Sequence, residues 1–229
     1  MGTLERKERE KEHRREEILN AAHRVFFQKG LQAATMDEIA EAAELSKGTL
    51  YLYYKSKEDL YLAVMVRGIE TLREMFMQAT ATDRPTVEQV RNLAGAYFEF
   101  FEKQRNYFRM FNFFEHPEFH KQVSKEMLDA CSLEQQQIWK LVIDILERGI
   151  NEGAFRNDLN PAEIAIILWL TSTAILVRID TQADRFESRM NVNLRELYRK
   201  SSDLLLESIM TENAKQRYRL AVSSGSRSS

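Results

Sequence analysis

The residues best placed for chemistry are Lys47, Gly48, Thr49, Tyr51, Leu52 and Tyr53, which follow Ser46 closely and alternate hydrogen-bonding, apolar and charged side chains. That chemistry is recognition of a charged polymer. A helix begun at Ser46 presents free backbone N–H groups and a positive dipole end, which suit phosphate oxygens, while side chains further along reach base edges in a major groove. Leu50 is the anchor that turns those residues outward. Thr35, Ser46 and Lys57 are expected to hold phosphates on either side, with Arg15 assisting.

Other reactive types lack partners. His116 and His120 are four apart beside Glu115 and Glu118. However, His116 precedes Pro117 and is biased out of helical geometry, so a surface pair is the better reading than a metal site. His13 and His23 have no companions for catalysis, and Cys131, the single cysteine, reads as an inert thiol in a reducing compartment. No Ser-His-Asp order, glycine-rich phosphate loop or zinc spacing is present, so neither an enzyme nor a cofactor is expected.

These residues need a scaffold, and local signals supply one. Thr35 caps a short helix and Glu38 completes a capping box, with Ile39, Ala40 and Ala43 as its apolar face. Glu44 and Leu45 make the turn. Before it, a helix over Arg14–Lys29 buries Ile18, Ala22, Val25 and Phe26, and Gly30 suits the position just past its end, with Leu31 folding back. Residues 1–13 read as a solvated or frayed arm.

The same residues carry a family resemblance: R-x-x-I-L-x-A-A over Arg15–Ala22, Gly30, Thr35, Ile39-Ala40, Ser46-Lys47-Gly48-Thr49-Leu50-Tyr51 and Lys55-Ser56-Lys57-Glu58-Asp59-Leu60. The N-terminal quarter resembles the TetR family of transcriptional regulators. Two departures stand out. Glu44 occupies a place where that family carries a turn glycine, and a positive φ there strains a side chain by roughly 1 kcal/mol. Tyr54 replaces a phenylalanine, so its hydroxyl needs a partner or solvent.

Only 3 Pro and 8 Gly among 229 residues, together with long 3.6-residue periodicities, make the fold all-α. Ser56 caps a helix running to about Ala79. A break at Thr82–Thr86 precedes helices over Thr86–Lys103 and Arg105–Glu115. Pro117 opens an interrupted helix to about Glu152, stopped by Gly153. Asn160 and Pro161 start another, expected to end near Asp180, and the last spans Asn191–Met210 before a serine-rich tail from Ser223 read as disordered. The domain boundaries that follow are 1–55 for a three-helix helix-turn-helix reader, 56–222 for a helical effector-binding and dimerisation domain, and 223–229 for the tail.

Ten of the 23 aromatic residues lie between Tyr97 and Phe119. Singly each reads as core. Together Phe98, Phe101, Phe108 and Phe111, with Met65, Ile69, Trp139 and Ile143, are the expected lining of an apolar cavity for a small molecule. The apolar run Ile164–Val177, broken by Thr171, Ser172 and Thr173, is shorter than the roughly 20 residues of a membrane span and reads as a buried helix.

Gly153-Ala154-Phe155 through Asn160-Pro161 and that apolar helix are similar to the C-terminal part of TetR-family regulators. The resemblance implies operator DNA and a small-molecule effector as partners, a cytoplasmic location without a membrane, and a homodimer whose last two helices form a four-helix bundle. Ile164, Ile167, Leu168, Thr171 and Ile175 on one helix, and Leu197 and Leu204 on the next, are the expected interface. The resemblance points to a repressor, with activation as its alternative. The rival class is a helical small-molecule-binding protein or enzyme that uses the aromatic cavity.

Charge argues least for DNA. The formal net charge is -2, and the first 60 residues hold 11 Lys and Arg against 12 Asp and Glu. Placement has to compensate, with Lys47, Lys55 and Lys57 flanking the reading helix.

Overall fold

A computed structural model describes residues 3–81, 83–114 and 117–225. His116, Thr82 and residues 226–229, on which sequence expectations fell, lie outside the described residues. Those described form α1 (Thr3–Ala33), α2 (Met36–Ala42), α3 (Lys47–Tyr53), α4 (Lys57–Ala79), α5 (Thr86–Lys103), α6 (Arg105–Phe114), α7 (Pro117–His120), α8 (Lys125–Asn151), α9 (Pro161–Met190), α10 (Leu194–Ile209) and α11 (Glu212–Gly225). They fall into two compact units, one of residues 1–71 with 104–135, the other of 72–103 with 136–229.

In the first unit, Ile18, Ala22, Val25 and Phe26 of α1 meet Ile39 and Ala40 of α2, Leu50 of α3, and Leu60 and Val64 of α4 in the buried core. Gly30 (φ 73°) breaks the helix as its position predicts, and Leu31 is buried beyond it. Polar clamps hold α1 to α2. Arg24 donates to the Ala42 carbonyl at 3.0 Å, and Lys29 pairs with Glu38 at 2.6 Å. Arg67 of α4 donates to Asn20 and Glu16 of α1. Tyr107 of α6 packs on Gly68, where an added Cβ would lie 2.5 Å from the ring.

The second unit packs α9 on α10, and both on α5. Tyr198 donates to the Ala94 carbonyl at 2.8 Å, and the Tyr97 and Thr173 hydroxyls are 2.9 Å apart. The turn after Gly153 (φ 71°) is clipped to the end of α10 by Arg156 N to Ile209 O and Thr211 N to Ala154 O. Phe155 is thereby buried against Gly149, which has no Cβ to obstruct it.

Three boundaries depart from expectation. α1 begins at Thr3 instead of Arg14, so the arm is solvated but helical, its exposed side chains paired as in Arg6–Glu10 at 2.8 Å. α9 continues past Asp180 to Met190, where Asn191 adopts a left-handed cap (φ 53°). By length and composition alone α9 could cross a membrane, and little of its apolar stretch is buried; the reading as a buried helix is thus corrected. A further helix, α11, follows Thr211 and includes Ser223, where disorder was expected.

Candidate nucleic-acid interface

The short helices α2 and α3 are built by local hydrogen bonds. Thr35 Oγ1 accepts from Glu38 N at 3.2 Å while the Glu38 carboxylate accepts from Thr35 N at 3.0 Å, completing the capping box. Those bonds and the Lys29 ammonium hold the Glu38 carboxyl below the ordinary range, the Lys29 contact contributing most. The turn closes through Leu45 N to Ala40 O at 2.9 Å and places Glu44 at φ 56°, the left-handed conformation for which glycine is suited.

Ser46 Oγ then accepts from Thr49 N at 3.1 Å and caps α3. Leu50 is fully buried, which leaves Ser46, Lys47, Gly48, Tyr51 and Leu52 exposed on the other side. Leu52, 84% exposed, has no packing role in the protomer. Thr49 is half-buried with its hydroxyl 2.8 Å from Ser46 Oγ, and Tyr53 is also half-buried, less outward than expected.

The cations around α3 are less free than their placement suggests. Lys47 Nζ lies 2.8 Å from Asp37 Oδ1, a hydrogen bond that raises the ammonium pKa above its usual value. Lys57 Nζ donates to the Ala34 carbonyl at 3.0 Å and reaches that of Gln32 at 3.5 Å, closing the end of α1. Arg15 stands over the ring of the buried Tyr54, and the Tyr54 hydroxyl beside it is the chief influence raising the guanidinium pKa. An anion arriving at this surface must compete with Asp37 for Lys47.

A residue to which the sequence reading gave no contact of its own is Asp59. It is 4% exposed and accepts from Ser124 N at 2.7 Å, tying the start of α4 to the start of α8. Its sequence signals were its place in the Lys55–Leu60 pattern and its position three residues after the Ser56 cap, where Asp59 N donates to Ser56 Oγ at 3.0 Å.

The expected effector residues are divided. Met65, Ile69, Phe108 and Phe111 belong to the first unit, Phe98, Phe101, Trp139 and Ile143 to the second. Met65, Ile69, Phe108 and Phe101 are closed into core, whereas Phe98, Phe111, Trp139 and Ile143 are half-buried. Phe98 packs on Tyr198 with ring centroids 5.1 Å apart, and Trp139 meets Trp169 edge-on at 5.6 Å. An open groove of about 690 Å³ in the second unit is lined instead by residues such as Gln78, Arg84, Arg91 and Glu99, none of them among those eight.

Of the expected interface, Ile167, Leu197 and Leu204 are exposed in the protomer, and Ile164, Leu168, Thr171 and Ile175 are half-buried. Ile166 and Leu170 join the exposed set, although the sequence reading did not select them. His120 stacks on Phe114 and is hydrogen-bonded to its carbonyl, and no cluster of metal-ligating side chains occurs among the described residues. Cys131 is buried, and burial pushes its thiol up to about 12.

A capped helix, a tight turn and a second capped helix with an outward polar and apolar face define a helix-turn-helix DNA-binding protein. Comparison with known families agrees: residues 18–64 match the model of bacterial regulatory proteins of the tetR family, and residues 87–201 match a tetracyclin repressor-like C-terminal domain. The chain belongs to the TetR family of transcriptional regulators.

Among its relatives is the transcriptional activator FasR of Mycolicibacterium smegmatis, 38% identical over 100 residues, which are 44% of this chain and 46% of that protein. The repressor KstR2 of the same organism is 29% identical over 152 residues, 64% of this chain and 70% of the relative. The fold is shared with the ketosteroid regulator KstR2 of Mycobacterium tuberculosis (TM-score 0.60, 22% identity, covering 87% and 96% of the two chains). It is shared also with FadR from Bacillus subtilis in complex with stearoyl-CoA (TM-score 0.65, 18% identity, covering 84% and 98%).

Proposed function

We propose that this regulator is a homodimeric repressor of a pseudopalindromic operator, released by a small apolar or amphipathic effector. The observation that carries the reading is the Ser46-capped helix α3, whose Lys47, Gly48, Tyr51 and Leu52 face solvent while Leu50 anchors it. Residues 1–55 serve as the reader and 56–222 as the effector-binding and dimerisation part, working in the cytoplasm where the DNA is and without catalysis. Thr49→Ala or Leu52→Ala should change which duplexes are selected from a random library, each base contact being worth roughly 1 to 3 kcal/mol. Unchanged preference in both variants would refute the assignment of α3.

The dimer reading is supported by the exposed Ile166, Ile167 and Leu170 on α9 with Leu197 and Leu204 on α10. An apolar surface of that kind is stable in water only when covered, and a second copy covers it without invoking a membrane. In a two-fold dimer the half-sites lie about 34 Å, one helical turn, or a multiple apart.

For the effector, support comes from the half-buried Phe98, Trp139 and Ile143 and from two structural neighbours, one a ketosteroid transcriptional regulator and the other a FadR in complex with stearoyl-CoA. A bulky apolar molecule with one polar end fits both. It releases DNA only if it binds the DNA-incompetent arrangement more tightly, and a tenfold loss of operator affinity needs about 1.4 kcal/mol of coupling. Trp139 or Trp169 fluorescence should report binding. Operator affinity that stays constant at saturation would remove the coupling. FasR, an activator, keeps activation as the second reading, separable by the direction in which deletion of the gene moves the neighbouring transcripts.

A further inference from the structure

α1 starts well before the three-helix module needs it. From residue 5 to residue 14 every side chain is exposed and none is apolar, so this extension has no core to join. Its charges are nevertheless sorted. At about 100° per residue, Arg6, Glu10, His13 and Glu17 share one side, where Arg6 pairs with Glu10 at 2.8 Å and His13 approaches Glu17 at 3.3 Å. Lys7, Lys11, Arg14 and Arg15 fall on the neighbouring arc, the one that further along carries Ile18, Ala22 and Val25. Arg14 bonds Glu17 at the edge of this stripe, and Glu8 borders it on the other side. Among the described residues no ion pair or hydrogen bond engages Lys7 or Lys11.

Arg15 locates the stripe. Its guanidinium lies over the ring of Tyr54, the C-terminal cap of α3, with Glu12 and Glu126 as nearby acids. α1 therefore leaves the module beside the end of α3, and at 1.5 Å per residue Lys11 and Lys7 lie about 6 and 12 Å further out along the axis. We infer that residues 5–14 are a second, sequence-independent DNA contact, in which Lys7 and Lys11 bind phosphates of the duplex flanking the groove entered by α3. The inference rests on the reading of α3 as the DNA reader.

Three physical facts favour this partner. DNA offers a continuous line of phosphates, about one charge per 1.7 Å of axis, which a straight helix with cations one turn apart can follow. Of the lysines flanking the reader, Lys47 is held by Asp37 and Lys57 by the Ala34 carbonyl, which leaves the exposed Lys55 to meet the phosphates without them. Residues 5–14 carry no apolar side chain and so give a protein partner no hydrophobic anchor there.

The test is the salt dependence of full-length protein binding to a mixed-sequence duplex and to an operator selected from random duplexes. Lys7→Gln with Lys11→Gln should flatten the slope of log affinity against log salt by about two units per protomer, and so by between three and four for the dimer, near 0.9 for each phosphate no longer neutralised. Affinity at moderate salt should drop at least about tenfold, because four phosphates of the dimer complex then keep their counterions. Gln preserves helix propensity, and circular dichroism confirms that the arm still folds. Arg6→Gln with Arg9→Gln, an equal change of charge away from the stripe, should leave the slope nearly as in the wild type. A wild-type slope in the Lys7/Lys11 variant overturns the inference while the α3 reading stands. Equal flattening by both pairs also overturns it, because bulk charge then explains the effect. Wild-type protein that binds neither duplex removes the α3 reading and this inference with it.

Discussion

The guanidinium of Arg15 lies 6.0 Å from the centre of the ring of Tyr54, the residue that caps the end of the reading helix, and so joins α1 to α3. The Tyr54 hydroxyl raises the pKa of the Arg15 guanidinium, while burial, the larger influence on Tyr54, raises the phenol despite the neighbouring cation. The two partners are not equivalent. Tyr54→Phe keeps the ring under the guanidinium and removes a buried hydroxyl, and should cost less than about 1 kcal/mol, whereas Arg15→Ala takes the cation away from a ring and hydroxyl in a site 3% exposed and should cost about 1 to 2 kcal/mol. Urea unfolding of both variants checks the order, and equal losses would show that the hydroxyl reaches water without Arg15.

Glu44 holds a left-handed backbone (φ 56°) with a side chain in the way. Glu44→Gly relieves roughly 1 kcal/mol of steric strain and gives back part of it through the greater freedom of the unfolded chain. The expected net is a gain of about 0.5 kcal/mol, visible as a higher thermal midpoint. A lower midpoint would mean that the Glu44 side chain contributes a stabilising interaction that outweighs the strain.

Cys131 is buried with its thiol pushed up to about 12, so at neutral or mildly alkaline pH it stays protonated, and the thiolate that reacts is scarce. A thiol reagent at pH 8 should label the folded protein far more slowly than the urea-unfolded protein. Rapid, stoichiometric labelling of the folded form, with loss of DNA binding, would instead make Cys131 a sensor.

Leu170 and Leu204 are 53% and 70% exposed, more than their neighbours Ile167 and Leu197. Leu170→Glu or Ile167→Glu should yield monomer or aggregate in sedimentation and abolish tight operator binding, since one reader then engages only half of the operator. A monomeric wild type with full affinity for a single half-site would exclude the dimer.

Gly149 lets the Phe155 ring sit where a Cβ would be 2.3 Å away. Gly149→Ala should therefore displace the ring and cost about 1 to 3 kcal/mol, more than its gain in helix propensity. Denaturant titration decides it, and an Ala variant as stable as the wild type would mean that the turn after Gly153 can shift freely.

What the sequence determined by itself was local. Thr35 with Glu38, Ser46 with Thr49, and Asn160 with Ala162 are caps whose partners lie two or three residues on, so residue type and spacing suffice to find them. Gly30 was legible for the same reason, as one residue at the end of a periodic apolar run. The family pattern in the reader is a set of such local signals. Chain ends and distant partners were not legible. The polar end of α9 and the serine-containing α11 lack the apolar periodicity by which helices are recognised, yet Asn191 stops one at Met190 and Thr211 Oγ1 starts the other by accepting from Ala214 N at 3.3 Å. Tertiary structure alone decided that Lys47 meets Asp37 across the turn, that Asp59 bonds Ser124 65 positions away, and which leucines of α9 and α10 stay uncovered. Such pairings depend on where folding brings separate helices together, and a side chain's charge or apolarity does not specify which distant group will meet it.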